Sequence, residues 1–381
     1  MTNPLNWWNS LGRPLACLPR WGAIAMLAAL LATMGWSAIA VASLDRSEAE
    51  RAQNVETPIA AAPVSDVAST GDLALYQRVA DRVTAGEGYY VAAMEEHRAR
   101  NYPVRPFVTV RLPTMAFMQN LIGSDGVRLL SIGLLIACLW AADRRLSSLV
   151  SAPERIVGVV LLLLGGAGVA AARAGLVHEV LAGLLLTLSF LLYRPHRWWP
   201  SLLAAAAAIS VRELAVHFVL LWLALALAGQ RWREVSALFA LLAVFVAGMA
   251  LHYWQIEALR LPGDAASQGW AAAAGYALPL LAVCRLTALL TLPLWLAAPL
   301  AILPFMGWVG LGGRPALFAA LWFAGFFTAM ALFARPENFY WAQLLLPAYF
   351  AGLAFAPRAI ADLLRTARGA VQEPASRARQ S

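Results

Sequence analysis

WGAIAMLAALLATMGWSAIAVA, residues 21–42, decides the class of this chain. About 22 successive residues carry no charge, and at about 1.5 Å per helical residue they cover a hydrocarbon core of roughly 30 Å. Arg13 and Arg20 precede the run, so the positive-inside rule places the N-terminal end in the cytoplasm. The small-residue triplets Ala38-Ile39-Ala40 and Val41-Ala42-Ser43 resemble signal-cleavage sites, but the run exceeds the short apolar core of a signal peptide and reads as an uncleaved first helix.

The rest of the chain agrees with this stretch. Of 381 residues 61% are hydrophobic and 13% charged, with a mean hydropathy of +0.66. A soluble domain of that size runs near half apolar and a quarter charged. The expected fold class is therefore all-α, a polytopic helical bundle forming one integral membrane domain over 1–381. The net charge of +8 is carried without a single lysine, and many arginines sit in short segments between apolar runs. That placement reads as membrane orientation, with no nucleic-acid partner implied. Cys17, Cys138 and Cys284 lie in or beside apolar stretches without metal-ligand spacing and read as small buried hydrophobes.

Placing the arginines yields about ten crossings with both ends cytoplasmic. Further spans are expected at about 126–142, 156–173, 235–254, 316–333 and 340–355, with one more running from the turn at His178-Glu179 back to Arg194 and one ending near Gly312. Residues 200–230 should form two short helices bent at Arg212-Glu213. The region 269–312 is broken by Pro279, Pro293, Pro299 and Pro304, and only its last part should span. The first extracytoplasmic loop, 43–125, opens on a flexible lead-in over 45–70. An amphipathic helix lying on the membrane surface should follow over 72–85, with Leu73, Tyr76, Val79 and Val83 on one face. Residues 358–381 read as a cytoplasmic basic tail.

With this topology, polar residues from several segments meet on one face of the bundle. They are Asp72, Tyr90, Arg111, His178-Glu179, Arg212-Glu213, and the last outer loop Arg335 to Trp341. Ionisable groups at membrane depth are costly unless paired or functional. A plain structural reading exists for each. Asp72 and Glu179 open helices and offset the helix dipole there, and Arg212-Glu213 forms an ion pair sealing a helix break. Arg335 and Glu337 form an exposed pair, and Glu95, Glu96, Arg98 and Arg100 a solvated face. His217 and His252 read as packing or hydrogen-bonding residues. No GxGxxG follows a strand, which argues against a nucleotide-sugar donor bound in a Rossmann domain.

The pattern resembles the GT-C membrane glycosyltransferases, in particular bacterial mannosyltransferase-like members that take sugar from a polyprenyl-phosphate carrier. The resemblance rests on the single span followed by Gly71-Asp72-Leu73 and Tyr76, on Gly86-Glu87-Gly88-Tyr89-Tyr90 and Tyr102-Pro103, and on Arg111-Leu112-Pro113. It continues at His178-Glu179, Arg212-Glu213 and Glu337-Asn338-Phe339-Tyr340-Trp341. It implies a multi-pass protein of the bacterial inner membrane whose donor is a lipid-linked sugar. Asp72 would then act as the catalytic carboxylate, assisted by Glu179, by an inverting mechanism. Arg111, Arg212, Glu213, Arg335, Glu337, Asn338, Tyr340, Tyr90 and His178 would bind the lipid phosphate or sugar. The first loop lacks Asp-x-Asp and His178-Glu179 is not a paired acid motif, so a divalent metal is left open. The competing classes are a transporter or lipid flippase, for which broken helices are a hallmark, and a non-catalytic membrane subunit.

Overall fold

The computed structural model describes residues 11–56, 71–269 and 271–369. The described residues form helices and no strand. In chain order these are α1 (Arg20–Glu56), α2 (Asp72–Thr84), α3 (Tyr89–Ala99), α4 (Thr114–Leu146), α5 (Ala152–Gly165), α6 (His178–Leu192), α7 (Trp199–Val211) and α8 (Val216–Ala228). They continue with α9 (Trp232–Ala258), α10 (Ala277–Leu286), α11 (Leu294–Leu300), α12 (Leu303–Leu311), α13 (Gly313–Phe333), α14 (Leu346–Ala351) and α15 (Ala356–Ala367).

Five segments are long and apolar enough to cross a membrane: Arg20–Glu50, Phe107–Leu146, Trp232–Ala258, Leu294–Leu311 and Gly313–Phe333. A sixth would be the pair Pro336–Leu344 and Leu346–Ala367, bent by 70°. The expectation of about ten full spans is thus too high. Apolar composition alone does not make a crossing: α6, α7 and α8 hold 15, 13 and 13 residues, and each falls short of a roughly 30 Å core. Of these short helices α6 is buried along nearly its whole length, while α7 and α8 bury one face and leave Leu203 and Leu220 exposed on the other. In the most apolar stretches of α1 and α9 only 17% of residues are buried, so these two are peripheral. Their exposed Trp21, Leu31, Ile39, Val244, Leu251 and Trp254 would be insoluble as a surface in water and suit a lipid-facing one. The chain is a multi-pass helical membrane protein.

Three boundaries differ from the sequence reading, each for a physical reason. The lead-in over 45–70 is helical as far as Glu56, and residues 57–70 lie outside the described residues. Asp45 and Glu48, one turn apart on α1, each sit 2.6 Å from the Arg285 guanidinium of α10, which carries the helix beyond its apolar run. The expected span over 156–173 ends as a helix at Gly165. There a Cβ would stand 2.7 Å from the Leu346 carbonyl oxygen, so only glycine lets α5 and α14 approach so closely. The expected span over 340–355 is bent at Leu345, because Pro347 has no N–H to donate four residues back to the Gln343 carbonyl and is accepted only in the first turn of a new helix. The other expectations match more closely. The break at Arg212 separates α7 from α8, and the span expected to open near 126 is the part of α4 beyond Gly123, whose φ of 73° interrupts the helix.

The amphipathic helix is present as α2, but its apolar face is covered by protein. Leu75, Val79 and Val83 pack with Tyr89, Ala93 and Met94 of α3, Ala116 of α4 and Ile256 of α9. Together α2 and α3 form a small cap on one end of the bundle. The Arg98 guanidinium fastens it, reaching Asp264 at 2.7 Å and the Leu259 carbonyl at 2.6 Å, so Arg98 is an anchor rather than part of a solvated face. That contact holds the Asp264 carboxyl far down, at a pKa of about 2.

Candidate functional site

Under the cap lies a cavity of about 670 Å³. Its polar wall is built on the α7–α8 break. Backbone at Arg212 is extended, with φ −144° and ψ 114°, which turns the side chain into the bundle. The guanidinium is 1% exposed. It donates from Nε to Glu179 Oε1 at 2.6 Å and from Nη1 to the Glu213 carboxylate. A lone buried charge would be strongly destabilising, and two carboxylates on one guanidinium leave one charge over. Arg111, entering α4, offsets it with Nη1 4.0 Å from Glu213 Oε1.

The two arginines differ in what they have left to offer. Arg212 is held by anions on both sides. Arg111 spends its other donors on neutral phenols, Nε to Tyr76 at 3.0 Å and Nη2 to Tyr340 at 3.2 Å. Its hydrogen bonds therefore go to neutral groups, although its charge balances Glu213 at 4.0 Å, and it lines the cavity. A phosphate oxygen could replace a phenol as its partner with a stronger, charge-assisted hydrogen bond.

Asp72 is the first residue of α2, after Gly71, whose φ of 98° suits glycine. It lines the cavity half-buried, beside the Tyr102 phenol. Burial and the Asp72 carboxylate push that phenol up to about 12, so it stays protonated and faces the carboxylate as a donor. Among the described residues no cation pairs with Asp72 or with the exposed Glu337 across the cavity. Arg335 stands on the rim, donating to the Gly269 carbonyl at 3.1 Å and to Gln268 Oε1 at 2.6 Å. Asn338 accepts from Tyr340 at 3.4 Å.

The cavity thus brings together Asp72, Arg111, Arg212, Glu213, Arg335, Glu337, Asn338 and Tyr340. Three sequence candidates lie elsewhere. Glu179 is buried behind Arg212 and does not line the cavity. His178, also buried, packs edge-on against Tyr76 with ring centroids 5.1 Å apart. Tyr90 turns away to His252, 3.2 Å from its Nδ1.

Sequence reasoning did not single out His97 as a site residue. It follows Tyr89 and Ala93 at helical spacing on the buried face of α3, and a histidine on that face was the available signal. Nδ1 lies 3.0 Å from the Pro103 carbonyl and must carry the proton, since a carbonyl only accepts. Nε2 is then a lone-pair acceptor on a ring that lines the cavity. Burial first, and then Arg111, holds this imidazole neutral, with its pKa down at about 4. His217 also lines the cavity but has no free nitrogen. The Trp322 indole donates to its Nε2 at 2.8 Å, so its Nδ1 carries the hydrogen and donates to the Leu214 carbonyl. His252 is tied in the same way between Tyr90 and the Val110 carbonyl.

The same cavity is also lined by Phe245 and Met249 of α9 and Phe326, Met330 and Phe333 of α13, which make an apolar lobe. Both helices pack against α8 but hardly against each other, so the lobe lies in a gap at the side of the bundle. Among the described residues no three His, Cys, Asp or Glu side chains converge as a metal cluster. Comparisons with family models, curated proteins and solved structures each returned no match.

Proposed function

We propose that this chain is a membrane glycosyltransferase that moves a sugar from a polyprenyl-phosphate carrier to an acceptor hydroxyl. The observation carrying this reading is the division of one cavity into an ionic wall with Arg111 and Asp72 and an apolar lobe between α9 and α13. A lipid-linked sugar has the same division, a prenyl chain joined through phosphate to a polar ring. The prenyl chain would enter from the side, and the phosphate would meet Arg111. The acceptor oxygen attacks the anomeric carbon, the bond from that carbon to the phosphate oxygen breaks, and polyprenyl phosphate leaves. Asp72 takes the acceptor's proton, and the single displacement inverts the anomeric centre. General-base assistance of this kind contributes about 10²–10⁴-fold. Glu179 and Glu213 hold Arg212, and through it the wall on which Arg111 rests.

Orientation is part of the proposal. Arg145, Arg194, Arg197, Arg231, Arg233 and Arg314 lie at the helix ends away from the cavity. The positive-inside rule puts that end in the cytoplasm and the cavity on the outer face, as in a bacterial inner membrane. The transport alternative draws on the broken α7–α8 helix, and one experiment separates the two. Membranes containing the wild type or Asp72→Asn would be supplied with a radiolabelled polyprenyl-phosphate sugar. Transfer by the wild type, lost at least about 10²-fold in a normally expressed variant, supports the enzyme and its base. Equal transfer by both removes Asp72 from the chemistry. No transfer by either, across several sugars, favours transport or a non-catalytic subunit.

A further inference from the structure

A second cavity, of about 90 Å³, lies at the other end of the bundle. The polar wall of the first site is near the start of α4 and α8 and the end of α13. This second cavity meets the end of α4 at Arg145, the end of α8 at Gly229 and the start of α13 at Arg314. Three arginines reach it, and their partners are unequal. Arg231 is matched by the buried Glu234, at 2.8 Å, whose carboxylate also accepts from Trp222 at 2.9 Å and Tyr193 at 3.2 Å. The guanidinium groups of Arg145 and Arg314 have no hydrogen-bond or ion-pair partner among the described residues. Two positive charges at this cavity, on the half-buried Arg145 and the exposed Arg314, therefore have no counter-charge from the described residues. Its remaining wall is aromatic, with Phe190, Phe318 and Trp222.

We propose that this cavity binds the phosphate headgroup of an anionic membrane lipid, independently of the transfer reaction. Arg145 and Arg314 would take the phosphate oxygens, and the aromatic wall would take the first methylenes of the chain. A free inorganic phosphate would satisfy the arginines but would be desolvated against Phe190 and Phe318 without gain. A lipid satisfies both walls. The depth is also right, because the ends of long spans lie where headgroups are, and basic pockets between helices at such ends bind anionic headgroups.

The test uses the full chain, delipidated in detergent, with native mass spectrometry and thermal unfolding as readouts. Dioleoyl phosphatidylglycerol, dioleoyl phosphatidylcholine and inorganic phosphate are added separately. The wild type should hold phosphatidylglycerol in preference to phosphatidylcholine. Arg145→Gln/Arg314→Gln should bind it about tenfold or more weakly, the loss expected for two headgroup-facing charges. The equally discharged control Arg144→Gln/Arg233→Gln, on exposed residues, should bind like the wild type. Should the first pair fail to fold, Phe318→Trp fills the slot without altering charge and should weaken binding to a similar degree. Equal binding by the test and control variants would reduce the effect to surface attraction and overturn the proposal. So would a lack of preference over phosphatidylcholine, or equal protection by inorganic phosphate alone.

Discussion

Glu179 and Asp72 are both acids at the first turn of a helix, yet their surroundings give them different work. Glu179 is 3% exposed, and its carboxylate receives the Arg212 Nε. Asp72 is half-buried in the cavity wall beside a phenol that can only donate to it. Removing one partner of a buried ion pair leaves an uncompensated charge, whereas removing both is often tolerated. Glu179→Leu should therefore lower stability by about 3–5 kcal/mol in thermal or denaturant unfolding, with Glu179→Leu/Arg212→Met recovering most of the loss. A Glu179→Leu protein that unfolds like the wild type but transfers no sugar would instead give Glu179 a direct part in the chemistry. Arg111 calls for a different measurement. Arg111→Lys keeps the charge but loses the planar fork, and it should weaken donor use about tenfold while leaving folding nearly unchanged.

At the scale of elements, the cap formed by α2 and α3 depends on contacts made far along the chain. Arg98 of α3 holds Asp264, and the loop strand carrying Asp264 runs beside residues 104–105, with Val104 N–H donating to the Ala265 carbonyl at 3.0 Å. His97 gives this element its pH dependence. Its folded pKa, about 4, lies below an unfolded value of roughly 6.5, so the folded state binds fewer protons in that window. Stability from His97 is complete above about 6.5 and is lost as the pH falls towards 4. Across that interval the wild type should lose up to about 3 kcal/mol more stability than His97→Gln, followed as thermal unfolding against pH. Parallel curves would show that His97 is not held neutral by the cap. The same variant bears on mechanism, since His97 Nε2 is a free acceptor in the cavity. A steeper acid limb of transfer in the wild type than in His97→Gln would mark it as a positioning group for the acceptor hydroxyl.

On the scale of the whole molecule, the buried helix α6 lies at the centre, and the surrounding helices leave a gap between α9 and α13. Phe245 and Ala329 face the cavity from the two sides of that gap. Phe245→Trp/Ala329→Trp should narrow it. The expected outcome is an increase of about tenfold in KM for a long-chain donor, with kcat and the KM of a water-soluble short-chain donor little changed. Equal losses for both donors would place the lipid path elsewhere. The bundle is also polarised along its length, with one cavity lined by both acids and arginines and the other by arginines without an acid among its lining residues.

Hydropathy and charge alone were sufficient for the class of protein, the long spans α1, α9 and α13, the α2 helix and the break at Arg212. These depend on local composition and helical period, which the chain carries in every window. The convergence of Asp72, Arg111, Arg212, Glu213 and the 335–340 loop was also legible, because span ends on one side of a bundle must meet. What the tertiary structure decided is which of these groups have room to act. Glu179 and Arg212 are adjacent to the same cavity, but packing placed one behind the other, and Tyr90 was drawn off by a histidine 162 positions away. The open nitrogen of His97 depends on the carbonyl of Pro103, and the depth of each short helix depends on the neighbours that cover it. Pro103 is only six residues from His97, but the helices that bury this ring and the partners of Tyr90 and Glu179 come from distant parts of the chain, so burial and pairing emerged only when the chain was folded.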